Sequence, residues 1–182
     1  MGEERIGNLQ RGLRLDVNPW VADQIVSDAL LYRGVFLAGW ANVETTLIEI
    51  AIRASCDPHY SDHRDTYPSK LKSRVAYLDE ILCVPGPLSK HASVARAVLQ
   101  RYRKYEEFRN IMAHARMTIL PQWGATFHFF QAKSGREITY KTLRLTQEQL
   151  HWYALRAARF SRAVRKLAGK VDAILPPLTA AE

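Results

Sequence analysis

Near the middle of the chain runs Glu106-Glu107-Phe108-Arg109-Asn110-Ile111-Met112-Ala113-His114-Ala115-Arg116. Three of these side chains combine into a specific chemistry. A histidine can take or give a proton near neutral pH. An arginine can hold a phosphate through two parallel N–H bonds and neutralise charge that develops on it. An asparagine amide between them can orient either partner. Together they supply what metal-free cleavage of RNA needs, because the substrate's own 2′-hydroxyl serves as nucleophile. In a helix, Arg103, Glu107, Asn110 and His114 follow at steps of 4, 3 and 4 and share the polar face. Residues four apart diverge by about 40°, but residues five apart by about 140°. Asn110 and His114 therefore lie together, while Arg109 falls away from them. Uniting all three requires a loosened helix near Ala113, a guanidinium that reaches round, or a second chain.

Arg109-Asn110, three intervening residues and then His114, at the end of a helix preceded by two others, resembles the signature of the HEPN superfamily (higher eukaryotes and prokaryotes nucleotide-binding). Active members carry an Arg, four to six residues and a His, often with a polar residue directly after the Arg. The segment Trp40-Ala41-Asn42-Val43-Glu44-Thr45-Thr46-Leu47 resembles that family's opening helix, in which an acidic residue interrupts the apolar face. By element order the resemblance spans roughly residues 20–175. It implies a metal-independent endoribonuclease, usually dimeric, of the kind found in toxin–antitoxin or antiviral systems. Arg109 would stabilise the scissile phosphate, His114 would act as general acid or base, and Asn110 would orient one of them. Glu44, Arg103 and Glu107 would support the site. The products would end in 2′,3′-cyclic phosphate, and the partners would be RNA, a second copy of the chain and an antitoxin or regulatory protein.

Plainer roles exist for each residue. Arg109 can pair with Glu44 or Glu106, His114 can complement a helix C-terminus, and Asn110 can be a surface residue. Two other functions follow from those roles. One is a non-catalytic HEPN-like module that binds RNA or protein; the other is a small helical partner-binding protein without nucleic-acid contact.

The elements that must carry these residues are legible from periodicity. After Asn18-Pro19 the residues Val26, Ala29, Leu30, Phe36, Leu37, Trp40, Val43, Leu47, Ile50, Ala51 and Ala54 recur at helical steps and stop at Cys56-Asp57-Pro58. Gly34 and Gly39 within it permit a bend or close packing. A second helix is expected from about Ser69 to Leu82, with Leu71, Val75, Leu78 and Leu82 inward. Val84-Pro85-Gly86-Pro87 breaks the chain, and Ser89 is the expected N-cap of a third helix. The buried stripe of that helix would be Val94, Val98, Tyr102, Tyr105, Phe108 and Met112. The segments 125–132 and 136–145 flank Lys133-Ser134-Gly135 and read as a β-hairpin. Thr146, with Glu148 and Gln149, opens a last helix whose inward positions are Leu150, Tyr153, Ala157, Val164, Leu167, Val171 and Ile174. The expected fold is mainly α: a HEPN-like four-helix bundle with a β-hairpin of about residues 125–145 inserted between the third and fourth helices. Residues 19–178 form a single domain in this reading, after a polar, flexible lead of residues 1–18.

Composition bounds the rest. Lys plus Arg outnumber Asp plus Glu by 26 to 18, a net charge of +8 that favours a polyanionic partner. Arg116 and the face Arg159, Arg162, Lys166 and Lys170 are candidate RNA contacts, although such a face is more often simply solvated. Two cysteines without a CxxC spacing imply a reducing, cytoplasmic setting. No apolar h-region opens the chain, and no apolar run is expected to reach the ~20 residues that span a bilayer. Cys56, His59 and His63 lack a fourth ligand, so no metal site and no cofactor are expected. His91, His128 and His151 have no organised neighbours in the sequence. Phe127, Phe129 and Tyr140 could stack on bases, though packing on the helices is the expectation.

Overall fold

The computed structural model describes residues 19–63, 68, 70–120, 123–132, 138–175 and 177. The lead of residues 1–18 and the turn Lys133-Ser134-Gly135 lie outside the described residues. Among the described residues the architecture is four α-helices and a small antiparallel sheet.

Helix α1 (Pro19–Ser55) begins on a proline, which suits the first helical position because no intrahelical partner awaits its missing N–H. Its 37 residues extend about 55 Å, long enough to touch every other layer. Phe36, Trp40, Val43, Leu47, Ile50, Ala51 and Ala54 are buried along one side, as their spacing requires. Leu30 is not: it is 54% exposed, because Ala29 beside it takes the inward position. The segment Asp23–Ser55 is also long and apolar enough, by length and composition alone, to cross a membrane, which the residue pattern had not led us to expect. In the structure its buried side is committed to α4 (Gln147–Val171), the closest-packed partner of α1. A Cβ on Gly39 would stand 3.0 Å from the backbone of Ala157, so glycine is what lets the two helices approach.

Helices α2 (Leu71–Ile81) and α3 (Ala92–His114) lean on α1. The break between them contains a short 3-10 turn, Pro87–His91. Ser89 acts there rather than as the cap of α3: its hydroxyl accepts from the Gly86 amide at 2.9 Å. The buried stripe of α3 shifts accordingly. Val94 is 54% exposed, and Ala95, Val98, Leu99, Tyr102 and Met112 are buried. Helix α4 starts at a capping box: Thr146 Oγ1 accepts from Gln149 N at 3.2 Å and Gln149 Oε1 accepts from Thr146 N at 2.9 Å.

The sheet has three strands where two were expected. β1 (Arg116–Leu120), β2 (Gly124–Ala132) and β3 (Ile138–Leu145) pair in that order, all antiparallel. The additional strand follows α3 after a single residue, so no loop announces it. A third strand matters energetically, because a two-stranded hairpin is marginal in water. Alternation divides the sheet cleanly. Ala125, Phe127 and Leu145 are buried and Met117, Ile119, Phe129 and Leu143 pack against the core. Arg116, Thr118, Phe130, Tyr140 and Arg144 point to solvent. Gly124 turns the chain into β2 at φ +81°, where a Cβ would fall 2.3 Å from the Leu145 carbonyl oxygen.

Candidate active site

The last turns of α3 hold most of the residues that could do chemistry, and two side chains from α1 fix where they stand. Arg33 donates from Nε to the Met112 carbonyl at 2.8 Å, and from Nη2 to the carbonyls of Ala113 and Ala115 at 3.3 and 3.2 Å. Carbonyls in the last turn of a helix have no intrahelical donor. A cation from a neighbouring helix satisfies these, so α3 ends at His114 and the chain turns directly into β1. The sequence shows Arg33 only as one more polar residue in a periodic helix. Its role depends on an antiparallel helix pair that brings residue 33 beside residue 113.

Glu44 lies further along α1 and governs Arg109. Arg109 Nη2 donates to Glu44 Oε2 at 2.6 Å, with the two side chains 26% and 13% exposed. The other Glu44 oxygen accepts from the Tyr102 hydroxyl at 3.4 Å. Burial, and then the neighbouring Glu44 and Glu106 carboxylates, push the Tyr102 pKa well above the ordinary tyrosine range. Arg109 uses Nη1 to donate to the Asn110 amide oxygen at 2.9 Å. A polar chain therefore runs from Glu44 through Arg109 to Asn110.

Asn110 is where that chain meets open space. A cleft of about 580 Å³ lies between the end of α3 and β2, lined by Glu107, Asn110, His114, Arg116, His128 and Gln131 with neighbouring apolar groups. Glu107 accepts from Gln131 Nε2 at 3.3 Å across it. Asn110 and His114 share this cleft, as the four-residue step requires. Arg109 does not line it but touches it through Asn110, which resolves the angular conflict in part: the guanidinium reaches towards α1 and the amide bridges back.

The remaining candidates divide. Glu107 and Arg116 stand at the cleft. Arg103 turns from it to pair with Asp79 of α2 at 2.8 Å, a tie between helices and not a support of His114. Arg159, Arg162, Lys166 and Lys170 are all exposed along α4 and none lines the cleft. His59 Nδ1 stands 2.9 Å from Asp57 Oδ1, and no group of three metal-ligating side chains converges among the described residues.

Two histidines acquire neighbours that the sequence could not display. His151 stacks on Tyr32 with ring centroids 4.7 Å apart. His128 lines the cleft, and its Nδ1 contacts the Tyr140 hydroxyl. Of the aromatics considered for stacking, Phe127 is fully buried and Phe129 packs on the core, whereas Tyr140 is 55% exposed. Phe130, 74% exposed, was missed. Its signal was the parity of its strand position, which becomes readable once one neighbour is known to face inward. No family model matches the chain, and neither does any curated protein or solved structure.

Proposed function

We propose that the chain is a metal-independent endoribonuclease of the HEPN type that cleaves RNA by attack of the 2′-hydroxyl on the adjacent phosphate. The observation that carries this reading is the polar chain Glu44–Arg109–Asn110 ending at the cleft that Asn110 shares with His114. The scissile phosphate would sit there. His114 would take the 2′-hydroxyl proton or return one to the departing 5′-oxygen, leaving a 2′,3′-cyclic phosphate and a 5′-hydroxyl. Asn110 would orient the phosphate by its amide N–H, because its oxygen is already engaged by Arg109. Arg109 would stabilise charge on the phosphate from behind Asn110, or directly after leaving Glu44. One His114 serves one proton transfer at a time. A second copy of the chain across a two-fold axis would bring the other, and we propose a homodimer for that reason. A restraining antitoxin or regulatory protein, a toxin or antiviral role and a cytoplasmic setting belong to the same reading.

A second reading has its own support. The Arg109 guanidinium is already held by Glu44 and Asn110, which suits a HEPN-like module that binds RNA or protein without cutting. One experiment separates them: wild type, Arg109→Ala and His114→Ala are incubated with total RNA in EDTA. Cleavage by wild type, lost by at least about a hundredfold in His114→Ala, supports the nuclease. Salt-sensitive RNA binding with no cleavage by any of the three supports the binding module and sinks the nuclease. Light scattering on a size-exclusion column tests the dimer, and an active monomer would overturn it.

A further inference from the structure

The solvent face of the sheet has a composition that the rest of the surface does not explain. In the register of the three strands, Arg116 stands opposite His128, His128 opposite Thr142, and Phe130 opposite Tyr140. Directly opposed residues of an antiparallel pair share a face, so these side chains form one continuous layer. Their rings form a ladder. His128 and Tyr140 lie 6.0 Å apart with planes 22° from parallel, and Tyr140 and Phe130 lie 5.4 Å apart at 59°. Among the described residues nothing covers the ladder: Phe130 is 74% and Tyr140 55% exposed. Exposed rings on a strand are costly unless something uses them. The charged side chains described on the face itself have one sign, and Glu107 stands off it, across the cleft. Arg116 and Arg144 are exposed on this face, and no Asp or Glu occurs among its described residues.

We infer that this face is a binding platform for single-stranded RNA, which it leads into the cleft beside His114. Flat rings with two arginines beside them, and no carboxylate among the described residues of the face, are what an unpaired strand needs. Bases stack on the rings regardless of sequence, and the guanidiniums follow the backbone. A duplex would be refused, because its bases are already stacked on one another. Arg116, His128 and Phe130 belong both to the platform and to the rim of the cleft, so a strand bound by its bases on Phe130 and Tyr140 has its next phosphate beside Arg116 and His114. In taking RNA over DNA as the ligand the inference rests on the nuclease reading; the platform itself rests on the sheet.

The test uses the full chain carrying His114→Ala, in EDTA, and a fluorescent 12-nucleotide oligouridylate followed by anisotropy. Phe130→Leu should weaken binding by about tenfold, as expected for loss of one stacked base, while Phe130→Tyr should restore it. Tyr140→Leu should behave like Phe130→Leu. Arg116→Gln and Arg144→Gln should each lower the slope of log affinity against log salt by about 0.7. Circular dichroism and thermal melting on each variant ensure that the fold is retained. Equal binding by Phe130→Leu and Phe130→Tyr overturns the platform. So does a duplex bound as tightly as the single strand, whereas a DNA oligomer that outcompetes the RNA overturns RNA as the ligand. A dimer that Phe130→Leu dissociates, with no RNA bound at low salt, also overturns the platform and assigns the face to a second copy. The two readings fail separately. Ring-dependent binding without cleavage by the His114 chain removes the nuclease and keeps the platform. Cleavage that Phe130→Leu leaves untouched removes the platform and keeps the nuclease.

Discussion

At the scale of single residues, the decisive group is Glu44. It interrupts the apolar side of α1 and accepts from both Tyr102 and Arg109. Glu44→Ala strips two donors of their acceptor in a half-buried place and should cost about 1.5–3 kcal/mol, the usual range for hydrogen bonds to a charged group. Thermal melting should register that loss, Glu44→Gln should recover most of it, and any RNA cleavage should follow the same order. If Glu44→Ala melts like wild type, the ion pair contributes nothing. Tyr102 makes a separate prediction. Its folded-state pKa is raised, mainly by burial, so above the ordinary value of 10.0 the unfolded chain releases a proton that the folded protein keeps. Stability is therefore fully present below that value and falls as pH rises through and above it. Tyr102→Phe removes the group, and its denaturation midpoint should fall less than that of wild type between about pH 9 and about pH 11. Equal falls would dismiss the account. His114 stands out as a candidate at this scale because proton chemistry follows from residue type. Arg33 was not, because its partners are backbone carbonyls and any residue supplies those.

At the scale of elements, the junction of α3 and β1 sets the site. A helix that ends at His114 and a strand that starts at Arg116 leave both side chains at the mouth of one cleft. Arg33 holds that junction through three carbonyls, and its guanidinium stands 5.8 Å from the centre of the Phe127 ring. Arg33→Met keeps the length and loses the donors. It should cost about 1.5–3 kcal/mol and raise amide exchange first at Ala113 to Met117. Unchanged exchange there would refute the capping role. Helices α1, α2 and α4 were readable in advance, since burial on one side imposes a helical period and prolines or a capping box mark the ends. The 3-10 turn at Pro87–His91 was not, because Ser89 satisfies a loop amide by the same chemistry that would have capped a helix. Strand β1 escaped for a different reason. Five residues directly after a helix, with only Thr118 and Ile119 β-branched, carry too little local preference; pairing with β2 supplies the rest.

At the scale of the whole molecule, α1 and α4 form the frame, and the sheet packs on the core with Ala125, Leu145 and the larger Phe127 buried. Phe127→Ala should cost about 3–5 kcal/mol, as for other buried phenylalanines. Amides of β1 and β2 should then exchange well before those of α1. Simultaneous exchange everywhere would mean that sheet and bundle unfold as one unit.

Residue type and spacing by themselves determined where the helical stretches of the bundle lie, that Asn110 and His114 share a face, and that the chain carries a net charge of +8. These follow from local chemistry and from the period of a helix. Tertiary structure alone decided that Glu44 takes Arg109, that Arg103 leaves for Asp79, and that His128 joins the cleft. Each depends on which elements meet across intervening stretches of chain, and that is set by packing of the whole core.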